Sequence, residues 1–324
     1  MDLLFLGTSS GTPTRTRNVS GLALLEEKGR GWYLIDCGEA TQHQVLRTSL
    51  SLHALRAIFI THVHGDHCYG LPGLLASAAM SGRRELLHIV APLGIDEWVE
   101  TTLSLTHTHL TYPLQFHSVE SLGKWRSPFL HVEAIRLSHR VPSYAYRFTE
   151  ARPDVRLDIE RLEAEGVTRG PLWGHLARGE EVVHDGRPLR GDDYLLPGRP
   201  PRCVVVGGDN DRPELLRESC RHAQVLVHEA TYTRDLAEKG RSAHGHSSAQ
   251  AVAEFAESAG VANLVLTHFS ARYQNDPARS PSIEDLRTEA QASYKGRLFL
   301  AADLQRYHLD VSGCLQVLDS TTNR

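Results

Sequence analysis

The residues of this chain that could do chemistry are histidines and aspartates placed at the ends of apolar runs. The run 57–60 leads into HVHGDH at 62–67, and three later runs end before His139, Asp209 and His268. Imidazole and carboxylate groups are preferred zinc ligands, but these seven donors exceed the number that one tetrahedral zinc ion accepts. The pattern therefore predicts two metal ions that share a bridging carboxylate.

The cluster at 62–67 lies between a β-branched, aromatic strand pattern and a predicted helix that opens at 70–75, so it occupies a strand-to-helix turn. We expect His62 and His64 to bind one ion while Asp66 and His67 face the second, with Gly65 relaxing the backbone between the pairs. Histidine is common here, with nineteen copies, but scattered histidines would not repeatedly occupy strand ends.

Composition and charge restrict the class of protein. With 324 residues, 41% hydrophobic and 23% charged, the chain can bury a large core, and no apolar run approaches membrane-spanning length. Five scattered cysteines without a Cys-x-x-Cys pair indicate a reducing compartment, so we expect a cytoplasmic protein, with Cys68 a buried thiol. A formal charge of −4 means that any nucleic acid must be bound locally.

Short strand patterns alternate with helical patterns in two similar halves. The helical patterns fall near 40–49, 70–80, 95–105, 213–222, 247–258 and 283–294. Candidate ligands come from both halves at the carboxyl ends of strands, as expected for a site between two packed sheets flanked by helices. We therefore predict an α/β fold, a four-layer αββα sandwich forming one domain over 1–324.

The segment 150–200 has a different composition, rich in Arg, Glu, Asp, Gly and Pro. So long an insertion in a compact domain is usually functional or mobile. Two interpretations remain open: a disordered surface loop, or a flexible projecting arm with some helix, as at 157–163.

Beyond the ligand pattern, motifs along nearly the whole chain resemble the ribonuclease Z family, the tRNA 3′-processing endoribonucleases of the metallo-β-lactamase superfamily. They are FLGTS at 5–9, PTRTRN at 13–18, DCGE at 36–39, YAYR at 144–147, GPL at 170–172, GD at 208–209, HEAT at 228–231, GHSS at 245–248 and HFSARY at 268–273. HVHGDH alone marks only the superfamily. The loop 13–18, the Gly-Pro element and the HEAT and GHSS blocks narrow the resemblance to this family.

The resemblance implies a ligand set and a reaction. One zinc ion would be bound by His62, His64 and His139, the other by Asp66, His67 and His268, with Asp209 as the bridge. Two zinc ions about 3.5–4 Å apart can clamp the attacking and leaving oxygens and lower the pKa of water toward about 7. The implied reaction removes the 3′ trailer of precursor tRNA by metal-activated hydroxide attack on a phosphodiester, leaving a 3′-hydroxyl on the tRNA.

Three residues are implied in proton transfer. Asp66 would orient or deprotonate the attacking water, while His246, held by Glu229, would donate a proton to the leaving oxygen. Two structural alternatives remain: Ser247 could cap the helix that follows, and Glu229 could belong to a hydrogen-bond network.

Other histidines are assigned no metal. His228 could be an eighth ligand, but we expect a backbone hydrogen bond instead, and His107 and His109 read as surface residues. His43, His222 and His244 are left without a role.

The resemblance also implies RNA contacts and an assembly. The contacts would come from Arg15, Arg17 and Asn18 in the loop 13–18, from Arg272 near the scissile phosphate, and from Gly170, Pro171 and Leu172 in an arm that holds the tRNA elbow. The implied assembly is a homodimer in which each arm serves the other active site, with no membrane or DNA partner.

The chain departs from the family pattern at several positions. The arm lacks the usual lysine and carries more acidic residues than arginines over 150–195, which should weaken its grip on RNA. Asn210 replaces the usual threonine and Ala145 a common glycine, and we expect both to tune activity without abolishing it.

Two alternatives compete with this interpretation, one within enzymes and one outside them. A general metal-dependent phosphodiesterase or lactonase would share the ligands but lack the arm and the loop 13–18. A non-catalytic RNA-binding relative should have lost Asp66 or a bridging residue, yet all seven ligand positions are occupied.

Overall fold

The computed structural model describes residues 1–27, 29–151, 153–154, 156–196, 198–239 and 245–318. Two compact units make up the chain. The first comprises Met1–Trp125, Val132–Phe148 and Cys203–Arg324, and the second Arg126–His131 and Thr149–Arg202. The residue range of the second unit largely coincides with that of the insertion predicted at 150–200.

Two large sheets carry the fold. In spatial order the first contains Leu315–Leu318, Arg306–Leu309, Asp2–Gly7, Gly21–Leu25, Trp32–Ile35, Leu55–Phe59, Leu87–Ala91 and Leu114–Ser118. The second contains Arg297–Leu300, Asn263–Thr267, Val225–Glu229, Cys203–Val206, Ser143–Glu150, Leu130–Leu137 and Lys124–Arg126. In each sheet four consecutive strands are parallel, Trp32–Ile35 through Leu114–Ser118 in the first and Cys203–Val206 through Arg297–Leu300 in the second, so their carboxyl ends meet at one edge.

The two sheets pack face to face through aromatic side chains. The Phe59 ring of the first sheet contacts the Tyr146 and Phe148 rings of the second edge-on, each with a centroid distance of 5.2 Å. Trp125 adds a further edge contact to Phe59 at 5.4 Å. Edge-on contacts of this kind are favourable beyond the burial of area.

Helices cover the outer face of each sheet, and apolar side chains fill both interfaces. The helices of the first unit are Thr41–Val45, Gly65–Cys68, Leu71–Met80, Ile95–Leu105, Arg234–Lys239, Ala249–Ser258 and Ile283–Ser293. Leu74 and Val99 join strand residues in one core cluster, and Val252 and Leu286 do so in the other. The helix–sheet–sheet–helix order confirms the predicted αββα fold. None of the described helices combines the length and apolar character needed to cross a bilayer.

The second unit has its own secondary structure and a small core. It contains the helices Ile159–Ala164 and Pro171–Ala177 and the hairpin of Glu181–His184 with Arg187–Arg190. Leu162, Trp173 and Leu176 are among its buried core residues. The described part of this segment thus contains helix, as the second interpretation expects.

Three local expectations are corrected by the structure. The segment expected to be helical near 213–222 contains only the short 3₁₀ helix Pro213–Leu216, and the chain reverses at His222, where φ is 60°. Asp66 and His67 lie in the one-turn helix Gly65–Cys68, so the predicted strand-to-helix turn is itself helical where it carries them. The last strands, Arg306–Leu309 and Leu315–Leu318, join the first sheet beside Asp2–Gly7, so the halves of the sequence are not the two sheets.

Candidate metal centre

The predicted ligands meet where strands end. His62 follows Leu55–Phe59, Asp209 follows Cys203–Val206, His268 follows Asn263–Thr267 and His139 follows Leu130–Leu137. Gly208 makes the approach to Asp209 possible, since a Cβ there would lie 2.6 Å from Thr61 Cβ and 2.8 Å from the Tyr144 carbonyl oxygen. Only glycine fits so close to the neighbouring backbone.

The first group of donors consists of His62, His64, His139 and Asp209. His64 Nδ1 lies 3.0 Å from His62 Nε2 and 3.2 Å from His139 Nε2. Asp209 Oδ2 completes the group at 3.6 Å from His62 Nε2 and 3.8 Å from His139 Nε2.

The second group consists of Asp66, His67 and His268. Their donor atoms are separated by 3.2 Å between the two Nε2 atoms, by 3.3 Å from His268 Nε2 to Asp66 Oδ2, and by 3.5 Å from His67 Nε2 to the same oxygen. Asp209 Oδ1 lies 3.4 Å from His67 and 3.3 Å from His268. Asp209 thus presents one carboxylate oxygen to each group.

These spacings fit metal ligation. Ligand atoms about 2.0–2.1 Å from a tetrahedral zinc ion lie about 3.3 Å from one another, close to the separations within both groups. Burial lowers the pKa of His62, and the neighbouring imidazoles lower it further, which favours the neutral form that ligation requires. The donor set therefore fits a metal cofactor.

The charge around His67 supports the same conclusion. Burial by itself lowers the pKa of His67, but the carboxylates of Asp66, Asp209 and Asp36 raise it well above its ordinary value. For Asp66 burial acts in the opposite direction and would raise the pKa, yet His67 and His268 hold it far below the usual range. Carboxylates concentrated in a buried site favour a bound cation that balances their charge.

A contact at the ring nitrogen that does not face the other donors orients each of His67, His139 and His268. His67 Nδ1 lies 2.7 Å from Asp36 Oδ2, His139 Nδ1 lies 2.8 Å from the Gly245 carbonyl oxygen, and the Thr231 hydroxyl lies 3.0 Å from His268 Nδ1. Such contacts fix the tautomer and ring orientation of metal-binding histidines. Asp36 is itself held by the backbone N–H and the hydroxyl of Thr61, at 2.8 and 2.9 Å.

Backbone conformation adds to this rigidity. His268 and Asp36 both have a φ of 58°, in the left-handed region that non-glycine residues rarely occupy. Conformations of this kind persist only where the surrounding structure enforces them, and they cluster at functional sites.

His246 and Glu229, the predicted proton-transfer pair, lie beside the two groups. His246 Nδ1 is 3.3 Å from Glu229 Oε1 and 3.6 Å from Asp209 Oδ2. Glu229 is buried and accepts hydrogen bonds from the Thr231 hydroxyl and the Ser247 backbone N–H, at 2.7 and 2.8 Å. Burial lowers the pKa of His246, but the charge of Glu229 raises it to about 9. Glu229 is thus both a partner of His246 and part of a hydrogen-bond network.

The roles considered for Ser247 and His228 from the sequence can be compared with their contacts in the structure. The cap of helix Ala249–Ser258 is Ser248, which accepts from Ala251 N, and not Ser247, whose hydroxyl donates to the Asn210 carbonyl oxygen at 2.6 Å. The backbone contact predicted for His228 is confirmed, with Nδ1 2.7 Å from the Glu229 carbonyl oxygen.

Exposure and burial can also be compared with the predictions for His107, His109 and Cys68. His107 and His109 are exposed, as predicted, and Cys68 is a buried thiol whose pKa burial raises to about 12. His244 lies outside the described residues.

The structure separates the predicted RNA contacts. Arg15 and Arg272 are exposed, whereas the buried Arg17 guanidinium donates to Asn275 Oδ1 at 2.7 Å and to the Ser270 and Tyr273 carbonyl oxygens at 3.2 and 2.9 Å. Direct contact between Arg17 and phosphate does not fit this placement, because its donors already join the loop 13–18 to the segment 270–275.

The remaining predicted RNA contacts are Asn18 and the three residues 170–172. The Asn18 side chain donates to the Glu39 carbonyl oxygen at 2.8 Å, so it too serves the protein itself. Gly170, Pro171 and Leu172 start the helix Pro171–Ala177 of the second unit, where Gly170 and Pro171 are exposed.

Sequence reasoning missed the partners of the ligands. Asp36 ends the strand Trp32–Ile35 as the ligands end theirs, and that position could have marked it. Thr231 and the Gly11 backbone N–H, which donates to Asp66 Oδ2 at 2.7 Å, carried no such signal.

Solved structures of known proteins share this fold over nearly the whole chain. The fold is that of the metallo-β-lactamase fold protein YhfI from Bacillus subtilis, which aligns over 94% of this chain and 98% of its own at a TM-score of 0.65 and 18% identity. The human tRNase Z short form, ELAC1, aligns over 96% of this chain and 100% of its own, with a TM-score of 0.67 and 26% identity.

Relatives of higher identity define the family. A ribonuclease Z of Pseudomonas putida KT2440 is 60% identical over 316 residues, which is 98% of this chain and 99% of that protein. One from Bacillus velezensis is 43% identical over 91% of this chain and 95% of its own length. The chain belongs to the ribonuclease Z family. A family profile described as anti-Pycsar protein Apyc1 also matches residues 1–145, less than half of the chain.

Proposed function

We propose that this chain is a zinc-dependent endoribonuclease that removes the 3′ trailer from precursor tRNA and leaves a 3′-hydroxyl on the tRNA. The observation that carries the proposal is the position of Asp209, whose two carboxylate oxygens face two separate groups of ligands. A shared carboxylate is suited to two adjacent cations acting on one phosphodiester. The ribonuclease Z relatives and the human tRNase Z supply the substrate class.

The seven ligands divide between two zinc ions in this proposal. His62, His64 and His139 hold one, and Asp66, His67 and His268 hold the other, with Asp209 between them. When bound, two zinc ions lower the pKa of water toward about 7 and offset the charge of the phosphate.

The chain's own residues then handle the protons. Asp66 orients the attacking water and accepts its proton, with its Oδ2 held by the Gly11 backbone N–H. His246 donates a proton to the departing 3′ oxygen, and Glu229 holds the His246 ring for that transfer. Glu229 accepts a hydrogen bond from the Ser247 backbone N–H, which fixes the carboxylate that holds His246.

RNA binding is assigned to two parts of the chain. Arg15 and Arg272, both exposed, are proposed to contact phosphates near the cleavage site, since guanidinium groups pair with phosphate in fork geometry. The second unit is proposed to hold the body of the tRNA through the exposed start of helix Pro171–Ala177. Arg17 and Asn18 are assigned to positioning the loop 13–18.

We also propose that the chain works as a homodimer in the cytoplasm. A groove of about 340 Å³ lies in the first unit between Val45, Leu46, Leu50 and Ser77, and the side chain of Leu46 is 82% exposed. Met80, on the helix that carries Ser77, is 89% exposed, and packing against a second copy of the chain would remove these apolar side chains from water. None of the five cysteines forms a disulfide, as expected in a reducing compartment.

The test is to incubate the zinc-loaded chain with a precursor tRNA and to map both product ends. We expect one cut after the discriminator nucleotide, with a 3′-hydroxyl on the tRNA and a 5′-phosphate on the trailer. Hydrolysis of bis(p-nitrophenyl) phosphate without any cleavage of precursor tRNA would instead support a general phosphodiesterase. A lactonase or a non-catalytic RNA-binding protein would cleave neither phosphodiester.

A further inference from the structure

Tyr232 lies next to His246 in a rigid setting. It follows the strand Val225–Glu229 closely, and its carbonyl oxygen accepts a hydrogen bond from Ala249 N at 2.9 Å. The centroids of the Tyr232 and His246 rings are 6.2 Å apart, with the ring planes at 78°. The Tyr232 ring therefore borders the imidazole that is proposed to protonate the leaving oxygen.

Arg272 extends this surface. Its guanidinium carbon lies 5.6 Å from the centroid of the Tyr232 ring, within the range of a cation–π contact. Among the described residues, neither the Arg272 guanidinium nor the Tyr232 hydroxyl has a hydrogen-bond partner, and Arg272 has no carboxylate within 4 Å. Two planar groups with unused polar atoms thus lie beside the metal centre.

Hydrogen bonds fix the backbone on both sides of the pair. The Tyr273 hydroxyl accepts from Thr233 N at 2.7 Å, which joins the residues that follow Tyr232 and Arg272 in the chain. The buried Arg17 guanidinium holds the Ser270 and Tyr273 carbonyl oxygens on either side of Arg272. The backbone that carries the pair is therefore held in place before any ligand arrives, which reduces the entropy lost on binding.

We propose that Tyr232 and Arg272 form a stacking platform for the base of the discriminator nucleotide, the last nucleotide of the mature tRNA. The inference rests on the proposed function and identifies which nucleotide this part of the site binds. The leaving oxygen belongs to the discriminator ribose, so a group bordering the proton donor His246 borders that nucleotide. Unpaired RNA bases are bound by stacking on tyrosine rings and arginine planes, and such stacking tolerates any base.

The test is a set of coupled kinetic measurements on the full zinc-loaded chain. Three precursor tRNAs are compared: one intact, one abasic at the discriminator nucleotide, and one abasic at the first trailer nucleotide. Each is cleaved by the wild type, Tyr232→Phe, Tyr232→Leu and Arg272→Lys, and kcat/KM is recorded.

We expect loss of the discriminator base to lower the wild-type kcat/KM about 10- to 100-fold, the range of one stacked base. Tyr232→Leu should lose a similar factor on the intact substrate and nothing further on the discriminator-abasic one, where it should match the wild type. Tyr232→Phe keeps the ring and loses only the hydroxyl, so its loss on the intact substrate should be much smaller than that of Tyr232→Leu. Arg272→Lys keeps a charge for the phosphate contact proposed above but loses the plane, so the part of its loss that comes from stacking should disappear on the discriminator-abasic substrate.

Equal losses for Tyr232→Leu on the intact and discriminator-abasic substrates would overturn the platform, because a merely structural defect lowers both rates. Coupling to the first trailer nucleotide instead would overturn it as well, by placing the pair on the other side of the scissile bond. If the wild type cleaves no precursor tRNA, the proposed function fails and the platform fails with it.

Discussion

The metal centre and the second unit differ in how firmly their polar side chains are held. In the metal centre, donor atoms lie 3.0–3.8 Å apart, and partners such as Asp36 hold the far nitrogen of a ligand. In the second unit, a small core supports polar contacts in which both partners are about half exposed, such as Arg178 with Glu180. Exposed pairs contribute little to stability. The chemistry therefore depends on exact placement in one region, while the other can change its surface charge at small cost.

The largest effect should come from Asp66. Asp66→Ala removes a proposed metal ligand that is also the proposed base, so we expect kcat on precursor tRNA to fall about 10³- to 10⁴-fold, with tRNA binding largely kept. Single-turnover cleavage and filter binding measure the two properties. Asp96→Ala, at an exposed helix position, is the matched control and should behave like the wild type. A parallel loss of tRNA binding would mean that the centre and the binding surface are not separate.

His246 sharpens the comparison within the metal centre. His246→Ala should lower kcat on precursor tRNA about 10²-fold, because the departing 3′ oxygen needs a proton. Hydrolysis of bis(p-nitrophenyl) phosphate should change little, because p-nitrophenolate leaves without one. The exposed His107 provides the control variant, His107→Ala. Equal losses on both substrates would rule out the role of proton donor.

Deleting 152–198 removes most of the second unit. We expect KM for precursor tRNA to rise about tenfold, which corresponds to about 1.4 kcal/mol of lost binding, while hydrolysis of bis(p-nitrophenyl) phosphate is unchanged. The ends can be rejoined by a short linker, since Glu150 N already donates to the Arg202 carbonyl oxygen at 3.0 Å. Equal harm to both substrates would show that the second unit supports the metal centre itself.

The smallest effect concerns stability of the second unit. Burial raises the pKa of Glu150, but hydrogen bonds from Arg199 and Arg202 lower it to about 2. Because the folded-state pKa is depressed, the ionised form stabilises the fold above about pH 4.5, and this stability disappears as the pH falls toward 2.

Glu150→Gln should therefore lower the free energy of unfolding by about 1 kcal/mol at pH 7 and have no effect near pH 2. Thermal unfolding at a series of pH values measures the difference. Glu180→Gln, in the exposed pair with Arg178, should leave stability unchanged. A pH-independent effect of Glu150→Gln would exclude the ionic contribution.

The convergence of the candidate ligands could be predicted because metal-ligand residue types and strand ends are both local sequence patterns. HVHGDH follows an evident strand, and His139, Asp209 and His268 each end an apolar run, so the four-layer fold and the convergence of these residues could be anticipated together. The family motifs supported both predictions.

What could not be predicted depends on tertiary contacts. Arg17 lies in an exposed-looking basic loop, yet its guanidinium is buried against 270–275, more than 250 residues away in sequence. Nothing local distinguishes Ser248 from Ser247 as the helix cap, or marks Tyr232 as a neighbour of His246. The left-handed conformation of His268 is likewise imposed by the packed site and not by its own residue type.

The central claim, two metal ions sharing Asp209, is tested most directly by the metal content of the purified chain after dialysis against metal-free buffer. The wild type should retain two zinc ions per chain, and Asp209→Ala, which removes a ligand from both groups, should retain fewer than one. A wild type that holds a single ion, or an Asp209→Ala variant that still holds two, would contradict it.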